Sequence, residues 1–165
     1  MTKRNFGSWV VLSVMLGVLI TGIGLAADAP KFGGTLRYAT IGTPPTLDEQ
    51  VVTADITTTI MQHVFEGLFT FTEKSEAVPM LAENYEVKDG GKLIVIGLRQ
   101  NVPFHNGKEM TSADVVASLI RWGKFGVRGP VLFKHVEKVE ADGKYGVKIY
   151  FKQPFAPWKN FLAYI

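Results

Sequence analysis

The stretch Pro79–Trp122, PMLAENYEVKDGGKLIVIGLRQNVPFHNGKEMTSADVVASLIRW, decides the fold. Tyr85 and Val87 alternate with charged neighbours, the period of a half-buried strand. Asp89-Gly90-Gly91 then supplies the positive φ angles of a tight turn. Leu93–Leu98 is apolar and rich in β-branched residues, which predicts a buried second strand. Pro103, having no amide N–H, is expected to stop sheet pairing, and Asn106-Gly107 marks another turn. Thr111-Ser112-Ala113-Asp114 has the spacing of a capping box, and a helix follows it. Val115, Leu119 and Trp122, joined by Val116 and Ile120, fall on one face of that helix, which Gly123 is placed to end.

Downstream, Lys124–Lys134 reads as a Gly-rich basic loop. Val136–Ala141, Asp142-Gly143 and Tyr145–Lys152 read as a hairpin, with Tyr145, Val147, Ile149 and Phe151 on one face. Pro154 and Pro157 break the sheet, and Trp158–Ile165 begins an apolar helical segment. Upstream, Thr35–Ala39 reads as a strand with Leu36 and Tyr38 on one side. Asp55 is placed to cap a helix running to about Leu68, with Ile56, Ile60, Val64 and Leu68 as its apolar stripe. Glu66–Phe71 leads into a short strand, and Glu73–Glu76 is a charged turn.

Residues 1–27 have the layout of a secretory signal peptide: Lys3 and Arg4, an apolar run from Trp9 to Ile20, then small residues up to a cleavage point after Ala27. The competing possibility is an uncleaved anchor, since Asn5–Ala27 carries no charge and is about long enough to span a bilayer. The net charge of +3 owes much to this segment, because removing Lys3 and Arg4 from the 18 basic residues leaves 16 against 15 acidic ones. With no cluster of basic and aromatic residues, the composition gives no footing for nucleic-acid binding. The absence of cysteine excludes a disulfide scaffold, a thiolate metal site, a cysteine nucleophile and a lipid-anchored N-terminal cysteine.

No catalytic motif is present: there is no HExxH, GxSxG or phosphate loop. Asp48-Glu49 are adjacent carboxylates, suited to a loop end rather than to paired acid–base work. His63, His105 and His135 lack metal-ligand spacing. His63 reads as a packed or surface residue, and His105 as a hydrogen-bonding turn residue. No cofactor is expected.

Several short motifs occur in order: Gly33-Gly34-Thr35-Leu36, Pro45-x-Leu47-Asp48, Glu66-Gly67-Leu68, Pro79-x-Leu81-Ala82, Asp89-Gly90, Leu98-Arg99, Val102-x-Phe104-His105-x-Gly107 and Thr111-x-x-Asp114-Val115. The series resembles the family 5 extracellular solute-binding proteins, the peptide, opine and nickel receptors of ABC importers. That resemblance implies a mixed α+β, periplasmic-binding-protein-like fold of two lobes. Residues 28–165 would be the start of lobe I with its β-rich subdomain, and so the N-terminal part of a longer chain. It further implies a periplasmic, non-enzymatic receptor that captures a small peptide or similar solute and delivers it to an ABC permease in the inner membrane. By alignment from Leu47-Asp48, the resemblance places Thr53, Ala54 and Asp55 at the ligand. The alternative for Asp55 is a plain helix cap, and Glu49 departs from the family's usual proline at that place. Gly90, Arg99, Phe104, Gly107, Thr111 and Asp114 read as fold-setting. Two other functions compete: a membrane-anchored interaction or sensor domain of the same fold with no transport ligand, and a peptide hydrolase needing residues beyond Ile165.

Overall fold

The computed structural model describes residues 32–164. The signal peptide expected at residues 1–27 lies outside them. Residues 32–38 form no strand: Leu36 is 91% exposed, and none of these residues enters a ladder. The strand expected at Thr35–Ala39 is therefore not observed. An extended segment becomes a strand only when a neighbour satisfies its amides and carbonyls, whatever its alternation.

From Ala39 onward the elements are α1 (Asp55–Met61), β1 (Phe69–Phe71), β2 (Ala77–Pro79), β3 (Ala82–Lys88), β4 (Leu93–Leu98), α2 (Ser112–Phe125), α3 (Gly129–Phe133), β5 (Val136–Ala141), β6 (Gly146–Phe151) and α4 (Trp158–Leu162). β1 and β2 form a small antiparallel hairpin, and the remaining strands form an antiparallel sheet in the order β3-β4-β6-β5.

Strict alternation in the two central strands sets the core. Ile94, Ile96 and Leu98 of β4 and Val147, Ile149 and Phe151 of β6 are buried on one face. Each such side chain contributes roughly 1.5–3 kcal/mol. Val115, Leu119 and Trp122 of α2 cover that face, with Leu132, Trp158 and Leu162 closing its margin. Phe69, Tyr85 and Trp158 pack edge to face with ring centroids 5.4–5.7 Å apart. The other face is ionic, with Lys138 paired to Glu140 and Lys148 to Asp142.

The turn between β3 and β4 has Asp89, Gly90 and Gly91 all at positive φ, as expected. Glu109 latches the loop before α2 to the β5–β6 turn: its carboxylate accepts from Lys144, Tyr145 and the Asn101 amide, and these bonds hold its pKa down to about 2.

The α2 cap forms as the Thr111–Asp114 spacing requires. The Asp114 carboxylate accepts from the Thr111 amide at 2.8 Å and from its hydroxyl at 2.6 Å. Buried Ser112 adds a bond to the Gly143 carbonyl at 2.6 Å, fastening the helix start to the β5–β6 turn.

Several expectations need correction. Val87 is 54% exposed because β3 is an edge strand, and Ile120 is 51% exposed at the border of the α2 stripe. Pro103 does not end pairing: it bridges to Glu109, with Met110 N donating to Val102 O and Phe104 N to Lys108 O, so its neighbours supply the amides it lacks. Gly123 does not end α2, which runs to Phe125. Its small size is used instead against the Phe133 ring, which a Cβ would meet at 2.5 Å. The loop expected at Lys124–Lys134 contains α3, which Pro130 helps to start. α1 ends at Met61 rather than Leu68, and its buried residues are Thr57 and Met61 rather than the Ile56–Ile60–Val64 stripe.

Candidate functional site

A cleft of about 480 Å³ opens between α1, the β1 strand and the chain before α3. Thr53 and Asp55 line it, with Glu49, Arg128, Phe71 and Tyr164 among their neighbours. Its volume lies within the range of small-molecule sites, and aromatic rings with a few charged groups are the usual lining.

The local chain explains the placement. Asp48–Val52 is a short turn held against the outer face of α2. Arg121 donates to Asp48 through both terminal nitrogens, at 2.5 and 3.2 Å, and to Gln50 Oε1 at 2.5 Å. Gln50 Nε2 in turn donates to Ser118 Oγ at 3.0 Å. The fork-like Arg121 contact holds the Asp48 carboxyl below its usual range. With Asp48 engaged by α2, its neighbour Glu49 is left to the cleft, where partial burial raises its carboxyl. Thr57, fully buried, donates to the Thr46 carbonyl at 2.8 Å and seats α1 on the same link.

Asp55 is not the helix cap. Ala54 occupies that position, its carbonyl accepting from Thr57 and Thr58, and Asp55 is the first helical residue. A carboxylate there suits the positive end of the helix, yet it makes no capping bond. Ala54 does not line the cleft, and its carbonyl is already committed to the helix. The Ala54 carbonyl is thus occupied, whereas the Asp55 carboxylate is open.

Sequence reasoning missed Arg121 and Arg128. Arg121 was unreadable because its partners lie over seventy positions upstream. Arg128 sat in a stretch read as plain loop, although Gly126 and Gly129 around it are a signal of close backbone packing.

The histidines stay apart. His63 Nδ1 meets the Thr59 carbonyl at 2.8 Å, and His135 stacks on Phe155 at 4.3 Å. His105 is exposed and its ring makes no hydrogen bond among the described residues; the turn is closed instead by Asn106 Oδ1 accepting from the Lys108 amide. Arg99 donates from Nε to the Met80 carbonyl at 2.6 Å, a structural role as expected. Among the described residues no group of three or more His, Cys, Asp or Glu side chains could hold a metal ion, and no helix is long and apolar enough to cross a membrane.

The chain belongs to the bacterial extracellular solute-binding proteins, family 5, whose middle-region pattern it matches over residues 76–165. Proteins of this family are transport receptors rather than enzymes, and they work outside the cytoplasm.

Among its relatives is the glutathione-binding protein GsiB of Escherichia coli, 31% identical over 121 residues, which cover 72% of this chain and 24% of that protein. The oligopeptide-binding protein AppA of Bacillus subtilis, solved with a nonapeptide, superposes with a TM-score of 0.68 at 29% identity, over 76% of this chain and 25% of that one. AgaA from A. tumefacien, solved with agropinic acid, gives 0.68 at 32% identity, over 74% and 25% of the two chains. The expected mixed α and β, periplasmic-binding-protein-like fold is therefore the observed one. The chain spans about a quarter of the length of these relatives.

Proposed function

We propose that the protein is the extracytoplasmic receptor of an ABC importer, capturing a small peptide or a similar solute and passing it to a permease in the inner membrane. Thr53 and Asp55 would contact the ligand, with Ala54 setting the helix start between them. Residues 1–27 would direct export to the periplasm and be removed, and residues 28–165 would supply one wall of a two-lobed cleft. Closure of such a cleft on its ligand is the conformational signal a permease can read.

The observation that carries this reading is the cleft beside α1, where the uncommitted Asp55 carboxylate stands with Glu49, Arg128 and two aromatic rings. Relatives that bind a nonapeptide and glutathione support peptide as the ligand class.

The test is incubation of the protein with labelled short peptides, followed by recovery of the label. Peptide retained and returned intact supports capture; cleaved peptide overturns it. Binding by the 165-residue chain alone is expected to be weak, and submicromolar affinity would overturn the two-lobe account. Intact mass from the extracytoplasmic fraction checks export, since removal of residues 1–27 predicts a new N-terminus at Asp28.

A further inference from the structure

The cleft collects charges of both signs that do not neutralise one another. Glu49 and Asp55 approach it from the link and from α1, and Arg128 from the chain before α3. Among the described residues none of the three enters an ion pair.

Arg128 is nonetheless held in place. Its guanidinium lies over the Tyr164 ring, 4.1 Å from the centroid, and Tyr164 packs on Phe71 with centroids 4.8 Å apart. Stacking of this kind holds the guanidinium by its face and leaves the N–H groups along its edge free to donate. The backbone is equally constrained. Gly126 and Gly129 lie against buried Trp122, so closely that a Cβ at either position would come within 2.5 and 2.0 Å of the Trp122 carbonyl oxygen. Between them, Val127 N donates to Gln50 O at 3.3 Å, tying this loop to the turn that carries Glu49. The cation and the carboxylate are therefore mounted on two segments hydrogen-bonded to each other.

Resting on the reading of this cleft as the ligand site, we propose that Arg128 is its carboxylate-recognition residue, and that the cleft takes a zwitterionic ligand whose ammonium meets Asp55 and Glu49. A short peptide with both termini free has that chemistry. Arg offers a planar fork matched to a carboxylate, a geometry that a lysine point charge does not reproduce. The raised Glu49 carboxyl is consistent with a group awaiting a cation, since an ammonium beside it would favour its charged form.

The test is an NMR titration of the protein, to millimolar ligand, with trialanine, trialanine amide and N-acetyl-trialanine. Wild type is expected to bind trialanine about tenfold more tightly than the amide, the scale of a lost charge-assisted bond. Arg128→Gln should erase that preference, weakening trialanine about tenfold more than the amide. Arg128→Lys should restore part of it, and Asp55→Asn should weaken trialanine more than its N-acetyl form. Unchanged chemical shifts for β4 and β6 in each variant establish that the fold is intact. Equal binding of trialanine and its amide by wild type, or equal weakening of both by Arg128→Gln, overturns the assignment and leaves peptide capture standing. Binding of none of the three overturns the assignment together with the peptide reading on which it rests.

Discussion

The sheet-and-α2 body and the arm from Ala39 to Phe65 are held by different forces. The body is a continuous apolar cluster, from Leu68 and Phe69 through the central strands to Trp158 and Leu162. No residue of the arm belongs to that cluster. Its two buried side chains, Thr57 and Met61, lie apart from it, and the arm is fastened by polar links: Thr57 to Thr46, Arg121 to Asp48 and Gln50, and Val127 to Gln50. Polar links exchange for water at small net cost, whereas apolar burial does not. The segment that carries Asp55 can therefore adjust to a ligand while the platform beneath it stays rigid, and local opening should be confined to it.

The sharpest way to break the comparison is to damage the element shared by both regions. Trp122 is 2% exposed, anchors α2 on the sheet and carries the loop that meets Gln50. Trp122→Ala should cost about 3–5 kcal/mol, counting lost transfer energy and the cavity left behind. Urea unfolding is expected to show the body and the arm failing together. Loss of arm protection alone, with the midpoint unchanged, would show that Trp122 does not support the sheet.

A smaller change should separate the regions. Thr57→Val keeps the shape of a fully buried side chain but deprives the Thr46 carbonyl of its donor. The expected local cost is about 1–3 kcal/mol. Native-state hydrogen exchange should register it in α1 and not in β4 or β6. Equal loss of protection in the central strands would mean that the arm is part of the cooperative body.

The contrast also governs what the sequence could reveal. β4 was legible from its run of apolar, β-branched residues, and β6 from strict alternation, although the expected Tyr145–Lys152 overran the observed Gly146–Phe151 by one residue at each end. The Thr111–Asp114 cap was legible because its partners are three positions apart. The arm obeys neither rule. Its Ile56–Ile60–Val64 stripe mimicked an amphipathic helix, yet the buried face is set by a Thr57 hydroxyl reaching a carbonyl eleven residues away. The cleft was half legible: Asp55 could be placed by alignment, but Arg128 depends on glycines packed against Trp122 and on an aromatic stack with Tyr164. Such contacts are set by tertiary proximity, which local periodicity does not encode.

The smallest effect belongs to the ion pair that fastens the arm. The side chains of Arg121 and Asp48 are 47% and 36% exposed, so water and salt screen their attraction. Arg121→Met should keep the helix and most of the side-chain packing while removing the guanidinium that serves Asp48 and Gln50 together. Global stability is expected to move little, while limited proteolysis within residues 48–55 accelerates several-fold. High salt should produce the same trend in wild type and none in the variant. The pH dependence has a definite sign. Asp48 is depressed in the fold, chiefly by its bond from Arg121, so its contribution is present above its ordinary value and is lost as pH falls through the depressed one. Acidification below pH 3.8 should therefore loosen the arm of wild type progressively and leave that of Arg121→Met unchanged. A global destabilisation by Arg121→Met as large as that from Trp122→Ala would show that the link is structural, and the division between a rigid body and an adjustable arm would fail at its best-defined joint.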